Sequence, residues 1–227
     1  MRQLPSRRSM CLAAAAWGTG LGAATLGGAS QAATRRDPLP SMTDGPFYPP
    51  RRWRDTASNA GDWDADLTRV RRGTRWLTAR GEHLAVHATV VDSDGKPIDG
   101  AEVEIWQCDA LAAYHHPSAS PSPDAIDPGF QGFGATVADR QGALRLRTIR
   151  PVPYPGRTPH IHVKLRHAAF GEWTSQLFVA GEPGNARDFL WRALSPRARA
   201  AATLELQPLD GRDGLRWQAS AWLVVPA

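Results

Sequence analysis

The chain has 227 residues, of which 42% are hydrophobic and 22% charged, values close to those of ordinary globular proteins. This length suits one domain, and the composition argues against a disordered chain or a multi-span membrane protein. Glycine (21) and proline (19) are plentiful without a repeating period, which excludes a collagen-like repeat and favours a β fold rich in loops. Two cysteines cannot form a disulfide scaffold.

The formal net charge of +5 depends largely on residues 1–32, which hold three arginines and no acidic residue. Without this segment 24 basic residues face 22 acidic ones, a net charge of +2. A nucleic-acid-binding protein normally carries a basic stripe, whereas these arginines are scattered among acids. We therefore expect no nucleic-acid partner.

Residues 1–32 have the pattern of an export signal. Arg7 and Arg8 precede an uncharged stretch rich in alanine and glycine, and the stretch ends in small residues at Ala32. This arrangement is similar to a twin-arginine signal peptide cleaved after Ala32. The alternative is an uncleaved membrane anchor, which the five glycines of the stretch disfavour. We predict a periplasmic or extracellular protein without stable membrane insertion after cleavage, in which Cys108 is the only cysteine.

The remaining chain predicts an N-terminal arm at 33–80 followed by a single domain at 81–227. The arm has little periodicity and many prolines and glycines, and a short helix near 64–72 is expected within it. From residue 83 onward apolar and polar residues alternate, as in half-buried strands. Strands are predicted at 83–91, 101–108, 144–149, 160–166, 173–179, 203–206 and 215–225, with a long loop at 115–130 and a short helix at 188–194. Short strands separated by turns predict a mainly β protein, an antiparallel two-sheet β-sandwich with long loops.

His160 and His162 lie two residues apart on a predicted strand, so both imidazoles share one face and can reach one metal ion. Alone, this pattern is equally typical of a solvated strand face. Residues 150–159 hold no Asp, Glu or Cys, but they place Tyr154 between two prolines. A phenol has a pKa near ~10 and is ionised at neutral pH only beside a strong cation. Phenolates and imidazoles together suit Fe(III); otherwise the tyrosines are ordinary core or rim aromatics.

Residues 148–162 (TIRPVPYPGRTPHIH) resemble the metal-binding core of intradiol ring-cleavage dioxygenases. These are the non-haem iron(III) enzymes of the protocatechuate 3,4-dioxygenase and catechol 1,2-dioxygenase group. Further motifs resemble the family in the same order: residues 43–49 (TDGPFYP), 94–110 (DGKPIDGAEVEIWQCDA), 130–134 (FQGFG) and 174–178 (TSQLF). Several motifs in order are far more specific than any single one.

The resemblance implies a ligand set and a reaction. The implied Fe(III) ligands are Tyr114, Tyr154, His160 and His162. Tyr154 would be displaced by the substrate, Arg157 would stabilise charge on the reacting ring, and Gln176 would line the pocket. The implied substrates are a catecholic ortho-diol and O2, and cleavage between the two hydroxyl-bearing carbons would give a cis,cis-muconate-type diacid. Because family members often associate, a homo-oligomer is also expected.

One feature departs from the family pattern. The family often has glycine and a basic residue before its first tyrosine ligand, whereas Ala112 and Ala113 precede Tyr114. Alanine resists a positive φ, so the turn at this point is expected to differ.

Two functions from other classes remain open from the residues alone. An exported β-sandwich binding module could use the eight tryptophans that follow residue 32. A zinc-dependent hydrolase is the weaker alternative, because the sequence near His160 lacks a clear third ligand and a general-base carboxylate. Stoichiometric iron distinguishes the dioxygenase from both.

Overall fold

The computed structural model describes residues 35–49, 62–119, 125–211 and 214–226, so the predicted export signal lies outside the described residues. The elements are β1 (Arg69–Arg72), β2 (Arg75–Thr78), β3 (His83–Asp92), β4 (Glu102–Trp106), β5 (Phe133–Val137), β6 (Ala143–Ile149), β7 (His160–His167), β8 (Gly171–Val179), α1 (Phe189–Ala193), α2 (Pro196–Ala201), β9 (Thr203–Leu204), β10 (Gln207–Pro208) and β11 (Leu215–Val225). Single 3-10 turns occur at Pro117–Ala119 and Pro183–Arg187. Among these elements, neither helix is long and apolar enough to cross a bilayer.

The strands form a β-sandwich, as the sequence predicts. One sheet has the order β10-β11-β3-β6, the other has the order β5-β4-β7-β8-β9, and β1 and β2 form a separate hairpin. Most pairs are antiparallel, but β11 runs parallel to β3 and β9 parallel to β8. The sandwich is therefore confirmed, with two parallel pairs that the prediction did not include.

The core lies between the two large sheets. Side chains at alternate positions of a strand share one face, and one face of β3 buries Leu84, Val86, Ala88 and Val90. The facing sheet contributes Val103 and Ile105 from β4 and Ile161, Val163 and Leu165 from β7. Full burial of one such side chain is worth roughly 1.5–3 kcal/mol, so these rows fix which face of β7 points inward.

The predicted helix near 64–72 is wrong. Leu67 and Val70 are both buried, and their spacing of three residues imitates the apolar stripe of a helix. Residues 69–72 instead pair with residues 75–78. Gly73, with φ of +61°, opens the two-residue turn between them, as a tight hairpin of twisted strands requires.

The outward face of β7 supports the candidate site. His160, His162 and Lys164 alternate with the core residues, and all three are buried. Across the sheet, His162 pairs with Trp106 of β4 and Gln176 of β8. Long segments of the chain therefore cover this face, which is not a solvated strand face.

Candidate metal centre

Four of the predicted side chains converge on the outward face of β7. The Nε2 atoms of His160 and His162 lie 3.2 Å apart. The Tyr154 ring centre is 5.6 Å from that of His160, and the Tyr114 ring centre is 6.2 Å from that of His162. The two phenol rings are 5.4 Å apart, edge to face. The structure thus brings together two imidazoles and two phenols from β7 and from two loops.

The two histidines are held as neutral imidazoles. The Nδ1 atom of His160 lies 2.6 Å from the Thr158 carbonyl, which fixes the ring proton on Nδ1 and leaves the Nε2 lone pair facing His162. Burial, assisted by the nearby Arg157 guanidinium, lowers the pKa of His160 to about 4. The same burial, with His160 and Arg157 as neighbours, holds the pKa of His162 well below its ordinary value. A neutral imidazole is the form that binds a metal.

Tyr154 and Arg157 are joined by a tight turn. Pro155 follows Tyr154, Gly156 has φ of +84°, and the Arg157 N–H donates to the Tyr154 carbonyl at 2.9 Å. Proline and then a glycine with positive φ between bonded ends define a type II turn. The turn places the Arg157 guanidinium beside the Tyr154 hydroxyl, with Nη1 3.3 Å from it.

Asp188 fixes the other side of Arg157, although it is not among the predicted site residues. Its carboxylate accepts hydrogen bonds from Arg157 Nε at 2.8 Å and from the Thr158 N–H at 3.0 Å. It also caps α1 by accepting from the first N–H groups of that helix. Arg157 Nη2 donates to Gln176 Oε1 at 2.5 Å, so the predicted pair Arg157 and Gln176 is in direct contact. An aspartate at the start of a predicted helix is a recognised cap signal and could have identified the residue as a cap.

Tyr114 is presented by a loop built around a buried carboxylate. Asp109 accepts hydrogen bonds from the N–H groups of Leu111 and Ala113 and lies 3.1 Å from His115 Nε2. His115 is therefore directed at Asp109. Ala112 has φ of +62°, a left-handed conformation that alanine adopts at a cost. Ala112 thus stands where the family often has glycine, and Tyr114 still lies beside Tyr154 and His162.

Burial disfavours the ionised form of both phenols. Burial, with smaller contributions from Tyr154 and Cys108, raises the pKa of Tyr114 well above its ordinary value. Burial also raises the pKa of Tyr154, although Arg157 opposes the shift. The Tyr114 hydroxyl is buried, and Tyr154 approaches it without completing a hydrogen bond; within the described residues it has no other partner. A buried hydroxyl oxygen without a hydrogen-bond partner can serve as a metal ligand.

The donor set fits an iron ion. Two nitrogens that each lie about 2.1 Å from one ion are about 3 Å apart when they are adjacent ligands, and the observed Nε2 separation is 3.2 Å. In the described part of the chain, no group of three or more His, Cys, Asp or Glu side chains could hold a metal. A metal bound here would therefore depend on tyrosine as well as histidine, which disfavours the zinc hydrolase and suits Fe(III).

Comparisons with known proteins identify the family of the chain. A family model described as "Dioxygenase" matches residues 55–213. The chain is 33% identical over 153 residues to the protocatechuate 3,4-dioxygenase beta chain of Burkholderia cepacia, covering 63% of each protein. It is 30% identical over 129 residues to catechol 1,2-dioxygenase of Acinetobacter baylyi, covering 49% of this chain and 40% of that enzyme. The matches thus span less than two thirds of these relatives.

A solved structure shares the fold over almost its whole length. It is the dioxygenase domain of a dioxygenase and carbohydrate-binding fusion from Streptomyces sp. SirexAA-E. Its TM-score is 0.61 at 28% identity, and the match covers 84% of this chain and 99% of that one. The fold, the family model and the relatives together show that the chain belongs to the intradiol ring-cleavage dioxygenase family.

Proposed function

We propose that the protein is a non-haem iron(III) dioxygenase that cleaves a catecholic ortho-diol between its two hydroxyl-bearing carbons, consuming O2 and yielding a cis,cis-muconate-type diacid. The observation that carries the proposal is the convergence of two neutral imidazoles and two phenols on one buried point. The proposed ligands are Tyr114, Tyr154, His160 and His162. Bound there, Fe(III) would supply the charge that ionises the phenols and would activate the ring of the diol toward O2.

Tyr154 is proposed as the ligand that gives way to substrate. Its ring is partly exposed, whereas the Tyr114 ring is buried. A diol that binds through both oxygens must lose two protons; the Tyr154 oxygen is a suitable acceptor for one of them, and a hydroxide at the site would take the other. Arg157 Nη1 donates toward that same oxygen, so it can stabilise the hydroxyl after it leaves.

Arg157 is proposed to stabilise the negative charge that develops on the reacting ring. Its side chain is 9% exposed and is held on two sides, by Asp188 and by Gln176. A guanidinium oriented in advance in a poorly solvated site stabilises charge without reorganising at the moment of reaction. Gln176 thus acts on the pocket through Arg157 as well as by lining it.

The test is the iron content and visible spectrum of the purified chain, before and after anaerobic addition of catechol. We expect stoichiometric iron and a tyrosinate-to-iron absorption band that shifts when catechol is added. Tyr154→Phe should slow the shift, because the leaving phenolate is lost. A Tyr114→Phe, His160→Ala double variant should lose both iron and activity, and full activity in that variant would refute the ligand assignment.

We also propose that the enzyme is exported. The support is the arginine pair and cleavage pattern of residues 1–32, ahead of an arm at 33–80 and the catalytic domain at 81–227. Arg7→Lys and Arg8→Lys together should retain the full-length protein in the cytoplasm. The mass of the exported wild type should correspond to cleavage after Ala32, and equal export of the double variant would contradict the proposal.

A further inference from the structure

Residues 43–49, here called the strap, run across the candidate centre. Phe47 stacks on Tyr114, with ring centres 4.4 Å apart and planes 23° from parallel. Its edge also faces Tyr154 at 6.4 Å. Gly45 lies against His162, because a Cβ placed on that glycine would be 3.7 Å from His162 Cε1. The strap thus contacts three of the four proposed ligands.

The strap reaches His162 by a second route. Tyr48 packs its edge on Trp106, with ring centres 4.9 Å apart. Trp106 in turn stacks on His162, with ring centres 4.7 Å apart and planes 13° from parallel. The plane of the His162 ring is therefore set by Trp106 on one face, and Trp106 is held by Tyr48.

Two cations of β7, the buried Lys164 and the partly exposed Arg166, fasten the strap. Lys164 Nζ donates to Asp44 Oδ2 at 2.6 Å, and its side chain is 3% exposed. Thr174 of β8 donates to the other oxygen of Asp44 at 2.7 Å. The Lys164 ammonium also lies 4.1 Å from the centre of the Tyr48 ring.

The second fastening is the Tyr48 hydroxyl. It donates to Glu104 Oε2 at 2.6 Å and accepts from Arg166 Nη2 at 2.7 Å. Arg166 also forms an ion pair with Glu104 at 2.7 Å, and Glu104 is buried. A buried lysine and a buried glutamate are costly unless they are paired, so this network favours the closed position of the strap.

We propose that Asp44 and Tyr48 are positioning residues, which latch the strap and thereby fix the ring planes of Tyr114 and His162. The inference rests on the proposed function, because it treats those two rings as iron ligands. Neither residue touches the proposed reacting atoms; each acts through Phe47 or Trp106. Loss of a latch should loosen the Tyr114 and His162 rings.

The test compares Asp44→Asn and Tyr48→Phe with Glu172→Gln in the full chain. Glu172 is the matched control because it pairs with the same two cations, Lys164 and Arg166, from β8. Metal-free protein is treated with tetranitromethane, and nitration of each tyrosine is followed by mass spectrometry. Loss of one charge-assisted bond should raise the nitration rate of Tyr114 about tenfold by favouring local opening. The wild-type nitration rate of Tyr114 is the reference, and Glu172→Gln should keep that rate.

The second readout is the tyrosinate-to-iron band of the iron-loaded protein. It should move in Asp44→Asn and in Tyr48→Phe and stay in place in Glu172→Gln. An unchanged Tyr114 nitration rate, or a raised rate with an unmoved band, overturns the proposal. If Asp44→Asn fails to fold, Tyr48→Phe decides alone, since it keeps the ring and removes only the hydroxyl. A wild type that binds no iron would refute the proposed function, while nitration would still decide whether the strap holds Tyr114.

Discussion

The substitution Asp188→Asn should remove the ion pair with Arg157 and keep the cap of α1. One carboxylate oxygen accepts from the N–H groups of Leu190 and Trp191 at 2.9 and 3.0 Å. The other accepts from Arg157 Nε at 2.8 Å and the Thr158 N–H at 3.0 Å. Asparagine keeps one oxygen, which can still cap the helix, but its NH2 group then faces two donors.

The expected loss can be worked from burial. The Arg157 and Asp188 side chains are 9% and 0% exposed, so the pair is largely screened from water. Removing one partner of a buried pair typically costs about 3–5 kcal/mol. Asparagine and aspartate are nearly equal as helix caps, so the cap adds about zero to this sum. We expect a loss of about 3 kcal/mol, which a protein of ordinary stability, about 5–15 kcal/mol, survives.

Urea unfolding at pH 7 measures this loss. The urea concentration at the unfolding midpoint should fall, while the slope of the free energy of unfolding against urea concentration stays the same. Asp139→Asn is the matched control, because Asp139 also accepts two backbone hydrogen bonds, both at 2.9 Å, but lies in an exposed turn. Asparagine is tolerated in such turns, so the control should lose less than about 0.5 kcal/mol.

The pH dependence adds a second check. Burial raises the pKa of Asp188, but its hydrogen bonds from Trp191 and Thr158 and its pairing with Arg157 outweigh burial, and the pKa lies below its ordinary value. A carboxyl with a lowered folded-state pKa stabilises the fold above the unfolded pKa of about 3.9 and loses this contribution as pH falls through the folded value. The difference in the free energy of unfolding between wild type and Asp188→Asn should therefore become smaller below about pH 4. A loss of under about 1 kcal/mol at pH 7, or one equal to that of the control, would refute the reasoning.

Three further predictions follow from single residues. Ala112→Gly should raise the free energy of unfolding by about 0.5 kcal/mol, because relief of the left-handed strain exceeds the cost of the added entropy of the unfolded chain. The control Ala113→Gly should lower the free energy of unfolding, and thermal melts compare the two variants. Phe189 is 63% exposed and its ring lies 5.3 Å from the Arg157 guanidinium, so we expect it to contact the substrate. Phe189→Ala should therefore raise KM for catechol about three- to tenfold at similar kcat, and an unchanged KM would exclude this contact. Burial raises the pKa of Cys108 to about 12, so iodoacetamide at pH 8 should label Cys108 only after unfolding, and labelling of the folded chain would contradict its burial.

Much of the fold could be predicted because alternation along a strand determines which residues face the core. Leu84, Val86 and Ala88 of β3 predict the inward face directly. The same alternation says nothing about strand direction, since a strand buries the same side chains whether it runs parallel or antiparallel to its neighbour. The parallel pairing of β11 with β3 therefore required the structure.

The candidate site was only partly readable from local pattern. The spacing of His160 and His162 predicts their shared face, and Tyr154 stands out among the prolines before them. Tyr114 carries no comparable local signal, and its place in the ligand set came from the family resemblance. Asp109 acts through hydrogen bonds to a loop whose course no periodicity describes.

The contacts of Lys164 and Arg166 with the strap could not be predicted from the sequence, for a physical reason. Lys164 and Arg166 continue the alternation that begins at His160, and a strand face of alternate cations reads as a solvated surface. Their partners lie far away in sequence, with Asp44 120 residues before Lys164. Without the strap, Lys164 would lose its shortest ion pair, and a poorly paired buried charge is costly. Formation of the β7 face and closure of the strap should therefore be coupled, so that the ligands on this face and the segment that covers them become ordered together.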